Sequence, residues 1–294
     1  MMETADNMIP PIFNMYKVKF SKMDELKVRD HNKKSCRIFI NLEMPLRTLF
    51  TDHNNNYLIA MGNSVDVNLS IVSSMINLAQ HYRLYFAKYG VNAKAYLYFN
   101  YPSGYYKNFD YIIEYRNHYT SKILKNLNCQ YLEDHLNSSI TFLNKFIKYI
   151  HNVYLIHSDI IESSVLPYII MQDEEDEFCQ NLIISNNKYD SQYVNLNCTI
   201  LSPNGDCSQL ITKENVMTHL KNSYDIKNKI LVNPSFVPFI VSLLGDTYRN
   251  IPKIRGIGLS KILNLIHSGL NNQLITSNTT NLSMLMDIIE PDYR

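Results

Sequence analysis

Between Leu244 and Gly269 the chain reads LGDTYRNIPKIRGIGLSKILNLIHSG. The apolar run VPFIVSLLGD leads into it, and then come a proline, a short basic turn, Gly256-Ile257-Gly258 and a second apolar-periodic run. The pattern predicts a helix, a glycine hairpin and a second helix. Two residues without side chains let the backbone approach a phosphate, and the first N–H groups of the second helix then point at that anion. Lys253, Arg255 and Lys261 surround the turn with positive charge, which suits a nucleic-acid backbone. The same string also fits an ordinary corner between two helices with no ligand.

Three other stretches carry candidate chemistry. CRIFIN, ending at Asn41, and AKAYLYFN, ending at Asn100, read as buried strands. Open α/β folds place function at such strand ends. Residues 103–119 are rich in tyrosine and polar groups, including Tyr105, Tyr106, Lys107 and Arg116. They read either as a packed helix or as a surface on which unpaired bases stack. The acid run DEEDE, residues 173–177, reads as a solvated loop or helix end, with metal binding as the alternative.

Composition limits what these residues can be doing. Of 294 residues, 46% are hydrophobic and 19% charged, the balance of a globular chain. A formal net charge of +1 gives nucleic acid no global attraction, so any such role must rest on a local patch. Only 8 glycines are present, with no Walker loop and no dinucleotide fingerprint, which argues against an ATPase or a dehydrogenase. No apolar run reaches the ~18–20 residues of a membrane span, and the N-terminus lacks a signal-peptide core. Five cysteines without zinc spacing do not suggest a disulfide framework, so a reducing cytoplasm is the expected location. Abundant Asn, Ile, Tyr and Lys fit an AT-rich genome such as that of a virus or phage.

Strands and helices must alternate to position these groups. Residues 1–34 read as an extension of mixed charge. Helical periodicity covers Asn68 to Gly90 and Leu132 to Asn152, while Val153–His157 and Leu182–Ser185 read as further strands. Asp159 to Gln172 reads as a helix containing Pro167, a residue that kinks a helix interior. From Thr212 the pattern is helical: Lys213–Tyr224, Pro234–Leu244, Ser260–His267 and Leu282–Ile289. The expected architecture is α/β: a mainly parallel sheet flanked by helices, followed by a helical region. The expected division is an extension over 1–34, a core over 35–205, and a helical region with the hairpin over 206–294.

The hairpin string Gly245-Asp246, Asn250-Ile251-Pro252, Gly256-Ile257-Gly258 and a Lys-bearing helix resembles the DNA-binding element of the 5′ nuclease (flap endonuclease) superfamily. With Asn68-Leu-Ser-Ile-Val, Ser103-Gly-Tyr-Tyr, and Ile183-Ile-Ser185 with Gln192, the chain looks closest to the phage RNase H-type 5′–3′ exonuclease branch over residues 36–270. The resemblance implies a PIN-like fold, an arch near 103–130, and clustered Asp and Glu holding two divalent metals that activate water. Against that pattern this chain departs. Asn41 and Asn100 stand where the first two strands should end in Asp. The Glu-x-Asp-Asp helix matches Glu162 with Ser163, Ser164 and Val165, so only Glu162 remains. The Asp-x-Asp after the fourth strand becomes Asn187-Lys188-Tyr189. In the hairpin stretch Asp246 is kept, and Arg249 replaces the second Asp. The arch-base Tyr-Lys-x-Asn-Arg corresponds only loosely to Tyr115, Arg116, Asn117 and His118.

Two Mg²⁺ ions bring four positive charges, and Glu162 and Asp246 alone would have to offset them. Neighbours such as Glu43, Asp159, Asp190 or the DEEDE run could move in. Lys188 and Arg249, by contrast, could replace the metals electrostatically. The leading expectation is therefore a degenerate 5′ nuclease without metal or other cofactor. It would bind duplex or branched DNA weakly, with a protein partner, in viral replication, repair, transcription or packaging, and in the host cytoplasm. The alternatives are an active Mg- or Mn-dependent 5′–3′ exonuclease or flap endonuclease, with Glu162 and Asp246 as ligands, and a protein-interaction module without DNA binding.

Overall fold

In the computed structural model the described residues are 15–23, 35–42, 45, 64–100, 129–158, 163–173, 179–195, 197–205, 207–223, 234–245, 252–271, 275–276 and 279–280. The chain divides into two compact units, Met1–Lys213 and Glu214–Arg294.

The first unit is organised on a six-stranded sheet. Its elements are β1 (Ser35–Asn41), β2 (Asn92–Asn100), β3 (Val153–Ser158), β4 (Cys179–Ile184), β5 (Cys198–Ser202) and β6 (Gln209–Ile211). The order is β3-β2-β1-β4-β5-β6, with every pairing parallel except the last. Helices α1 (Phe20–Met23), α2 (Ser64–Ala87), α3 (Cys129–Ile147) and α4 (Leu166–Asp173) accompany it.

Strand β1 explains the layering. Cys36, Ile38, Ile40 and then Leu42 point to one face, where Ala93, Ala95, Leu97, Phe99, Leu182 and Ile184 join them. Met75, Leu78, Tyr82 and Phe86 of α2 and Leu143 and Ile147 of α3 cover that face. The intervening residues of β1, Arg37, Phe39 and Asn41, point to the other face by the two-residue period of a strand. There Phe39 stacks on Tyr96 at 5.1 Å, and Tyr96 stacks on Tyr154 at 5.0 Å. Because both faces are covered, the strands read as nearly continuous apolar runs.

The sequence reading and the structure differ at several points. Residues 163–165 form a 3-10 turn and α4 starts only at Leu166. Pro167 therefore sits in the first turn, where its missing N–H would have no partner anyway, and it does not kink a helix interior. β5 and β6 were not anticipated, because CTILS and QLI are short and set among turn residues. β6 lies in the sheet of the first unit, and helical structure in the second unit starts with α5 (Val216–Ser223). Within the 1–34 stretch, Tyr16, Val18 and Met23 are buried against α2. The Tyr85 hydroxyl donates to the Met23 carbonyl at 2.7 Å, and Tyr82 donates to Tyr16.

The second unit contains α5, a 3-10 turn at Pro234–Phe236, α6 (Val237–Leu244), α7 (Leu259–Asn271) and a two-stranded ribbon of β7 (Ile275–Thr276) and β8 (Thr279–Thr280). The expected helix Leu282–Ile289 lies outside the described residues.

Candidate functional site

The strand order switches direction at β1. The chain adds β2 and β3 on one side of it, then β4 and β5 on the other. Such a switch opens a crevice beyond the C-terminal ends of the strands, where α/β proteins bind ligands. Asn41 and Asn100 are the last residues of β1 and β2, and Asn187 follows β4 by three residues. All three strands are parallel, so the three positions share that edge.

Neutral hydrogen bonds occupy the edge. Asn41 is buried, and its Nδ2 donates to Ser185 Oγ at 3.4 Å. Ser185 Oγ also accepts from the Asn187 backbone N–H at 3.0 Å. The Asn187 side chain in turn accepts from the Tyr189 N–H at 3.1 Å, which caps the 3-10 turn Lys188–Tyr193. Asn186 donates to the Pro203 carbonyl at 2.9 Å and accepts from Ser202 Oγ at 2.7 Å. The Asn187 carbonyl oxygen is thus engaged with its own turn, as short Asx side chains commonly are.

The other candidate positions lie on a neighbouring turn. Ser164 is buried, whereas Val165 is 37% exposed. The Tyr193 hydroxyl donates to the Ser164 carbonyl at 2.8 Å, and the Tyr193 ring stacks on Tyr168 at 5.9 Å. These contacts tie the 163–165 turn to the 188–193 turn. Tyr189 is buried. Glu162, Asp246, Arg249, Tyr105, Tyr106, Lys107, Arg116, Glu43 and Asp159 lie outside the described residues, as do the arch stretch up to 128 and the acid run beyond Asp173.

Asp190, a candidate replacement ligand, is fully buried. Burial and the Asp190 charge hold the Cys198 thiol well above its usual range, and Arg37 opposes them. The Arg37 guanidinium is itself buried; its Nε donates to Asn181 Oδ1 at 2.9 Å and its Nη1 to the Ile170 carbonyl at 3.2 Å. Arg37 was missed from sequence, although a cation inside the apolar string CRIFIN is a visible signal. Among the described residues, no three His, Cys, Asp or Glu side chains form a group that could hold a metal. The described donors at the edge therefore do not fit a pair of divalent ions, which call for several anionic oxygens.

The hairpin has a separate logic. Ile254 and Ile257 alternate inward with Lys253, Arg255, Gly256 and Gly258 outward. Ile257 is buried among Phe236, Ile240, Leu243, Ile262, Leu263 and Ile266, which anchors the turn to α6 and α7. The Ile257 N–H donates to the Ile254 carbonyl at 3.2 Å, and Gly256, at the third turn position, has φ 79°. That is a type II turn, for which glycine at this position is strongly favoured. Gly258 precedes α7, and its carbonyl accepts from Lys261 and Ile262 at 3.0 and 3.1 Å. A Cβ there would meet nothing within 4 Å. Lys253, Arg255 and Lys261 are exposed. The N–H groups of Leu259 and Ser260 precede the first of the bonds to the Gly258 carbonyl, so the exposed turn sets the start of a helix beside cations.

No protein-family model and no curated protein matches the chain. Among solved structures, it is similar to the bacteriophage T5 5′-exonuclease with bound divalent zinc ions, at 11% identity over 85% of this chain and 83% of that one, with a TM-score of 0.53. It is also similar to the bacteriophage T5 flap endonuclease in a pseudo-enzyme–product complex with DNA and metal ions, at 13% identity over 83% and 81% of the two chains, with a TM-score of 0.47. No helix among the described residues is long and apolar enough to cross a membrane. The parallel sheet with its polar switch-point edge, and the likeness at TM-score 0.53, identify the architecture: the chain has the fold of the 5′ nuclease superfamily.

Proposed function

We propose that this protein is a catalytically degenerate 5′ nuclease. It binds duplex or branched DNA through the Gly256–Gly258 hairpin and acts as a nucleic-acid-binding or structural subunit of a phage-type DNA-processing complex. The observation that carries the proposal is the neutral chain Asn41–Ser185–Asn187, which occupies the strand ends where the resemblance calls for carboxylates. Asn can offer a cation one carbonyl oxygen but no charge. Bound metal lowers the pKa of water from 15.7 to about 7, and a site that holds no metal forgoes that gain.

DNA binding is supported by the exposed Lys253, Arg255 and Lys261 around a turn whose glycines leave the backbone uncovered. Three phosphate contacts give a salt slope of roughly −3, at about −0.9 per contact. That is a weak interaction, which suits a chain held in place by a protein partner.

The test uses a 5′-labelled flap substrate with Mn²⁺ and a duplex-binding titration across a salt series. The expected result is no cleavage, and salt-sensitive binding that the combined change Lys253→Gln, Arg255→Gln and Lys261→Gln weakens, with a flatter slope. Cleavage abolished by Glu162→Gln would establish the active metal-dependent nuclease instead. Binding and slope unchanged in the folded triple variant would remove the hairpin from the DNA interface and favour a protein-interaction module.

A further inference from the structure

The sheet's N-terminal edge, opposite the one described above, repeats a short motif. Residues 86–92 read Phe-Ala-Lys-Tyr-Gly-Val-Asn and residues 146–152 read Phe-Ile-Lys-Tyr-Ile-His-Asn, the same Phe-x-Lys-Tyr-x-x-Asn spacing. Each copy spans the exit of a helix and the approach to a strand, α2 into β2 and α3 into β3. The parallel pairing of β2 with β3 brings the copies side by side. Asn152 Nδ2 donates to Asn92 Oδ1 at 3.0 Å, and the Asn152 carbonyl accepts from the Ala95 N–H at 2.9 Å.

In both copies the lysine lies against the next tyrosine. Lys88 Nζ is 5.4 Å from the Tyr89 ring centroid, and Lys148 Nζ is 5.2 Å from that of Tyr149. The aromatic groups face solvent: Tyr149 is 78% exposed, Tyr89 45% and Phe146 47%. Tyr89 also packs edge-on against the core residue Tyr85 at 5.3 Å and Phe146 against Phe142 at 4.4 Å, whereas core packing does not account for Tyr149. In sequence, the stretches that carry them hold charge of one sign. Residues 67–100 and 135–158 contain Arg83, Lys88, Lys94, Lys145 and Lys148, and no Asp or Glu. In a chain with 28 basic and 27 acidic residues, these two stretches are locally basic.

We propose that this edge is a second nucleic-acid surface, specific for single strands. Unpaired bases stack on Tyr149 and Tyr89, and Lys88, Lys94, Lys145 and Lys148 hold the phosphates. Exposed rings with interleaved cations match what an unpaired strand offers, a π-face on every base and a charge on every linkage. A duplex hides its base faces, so it would use only the cations. The surface is independent of the hairpin, which lies in the other unit.

The test is fluorescence anisotropy of a labelled oligo-dT of about 16 nucleotides, near the upper site size of single-strand binders. With four phosphate contacts at about −0.7 each, the wild-type salt slope should be close to −2.8. Tyr149→Ala should weaken binding at least about 5-fold, the lower end for one lost stack. Lys88→Gln with Lys148→Gln should flatten the slope by about 1.4. The triple hairpin variant should keep oligo-dT affinity. The replaced side chains lie on the surface, with Tyr149 78% exposed, so the far-ultraviolet circular dichroism and the melting temperature should be unchanged. No oligo-dT binding by the wild type, unchanged affinity and slope in the folded variants, or loss of binding only in the hairpin variant would each overturn the proposal. So would sedimentation showing a wild-type dimer that Tyr149→Ala makes monomeric with oligo-dT affinity intact, since the edge would then be a self-association face.

Discussion

Replacing Asn41 by Asp tests the neutral edge directly. The change conserves shape and adds one charge at a position that is 3% exposed. The hydrogen bond to Ser185 can be remade, because the serine hydroxyl can donate to the carboxylate while still accepting from the Asn187 N–H. The existing bond is long, at 3.4 Å, so its loss matters little. The cost is the uncompensated buried charge, about 3–5 kcal/mol by comparison with broken buried ion pairs. At about 2–4 °C per kcal/mol for a domain of this size, Tm should fall by roughly 6–20 °C. Burial raises the new carboxyl's folded pKa above its unfolded value near 3.9, so the penalty is full above the raised pKa and absent below the unfolded one. Thermal melts from about pH 8 to about pH 4 should therefore show the gap to wild type closing in acid. Millimolar Mn²⁺ should restore part of the loss in Asn41→Asp, since a ligand at 100 times its Kd returns about 2.7 kcal/mol. It should leave the wild type unmoved. A wild-type Tm that rises with Mn²⁺ as much as the variant's does, or an Asn41→Asp protein as stable as wild type at about pH 8, would refute the reasoning.

The two hairpin glycines should separate folding from binding. Gly256→Ala forces a side chain into a φ of 79° and should cost about 1–2 kcal/mol in denaturant unfolding of the second unit. Gly258→Ala has open space and an unstrained backbone, so its stability cost should stay below about 1 kcal/mol. Its methyl group would nonetheless stand between the helix N-terminus and a phosphate, so duplex affinity should fall; equal affinity would mean that no backbone approach occurs there. His81 gives a pH prediction. Burial lowers its pKa, the Val18 carbonyl partly counters this by accepting from Nε2 at 2.8 Å, and Lys17 adds to the lowering. A depressed folded pKa gives stability that is complete above about 6.5 and is lost as pH falls from there through the folded value. Melts at about pH 7.5 and about pH 5.5 should show a larger drop for the wild type than for His81→Gln, which keeps a donor but cannot titrate.

The parts of the fold legible in the sequence are those whose signal is local. CRIFIN and AKAYLYFN are apolar on both sides because a parallel sheet covered on both faces needs no polar side. The same reading could not find β5 and β6. β5 gains its place by pairing with β4 across an intervening 3-10 turn, β6 joins it through a short antiparallel connection, and CTILS and QLI carry too few apolar positions to announce either. Pro167 reads as interior from sequence because no cap residue marks the helix start at Leu166, where the proline is a favourable first-turn residue.

The candidate site divides in the same way. Asn41, Asn100 and Asn187 were placed at strand ends from sequence, and the parallel pairing gives them one edge. What the asparagines do there depends on Ser185, a small residue with no pattern of its own. Its hydroxyl, as acceptor for both Asn41 and Asn187, closes the network. The buried Arg37 and Asp190 belong to the same class, since only the fold reveals that both act on Cys198. The basic, aromatic edge shows the limit of composition most clearly. A net charge of +1 averages away two stretches, residues 67–100 and 135–158, that carry five cations and no acid. The motif that marks it, Phe-x-Lys-Tyr-x-x-Asn, acquires meaning only when β2 and β3 pair and the two asparagines meet.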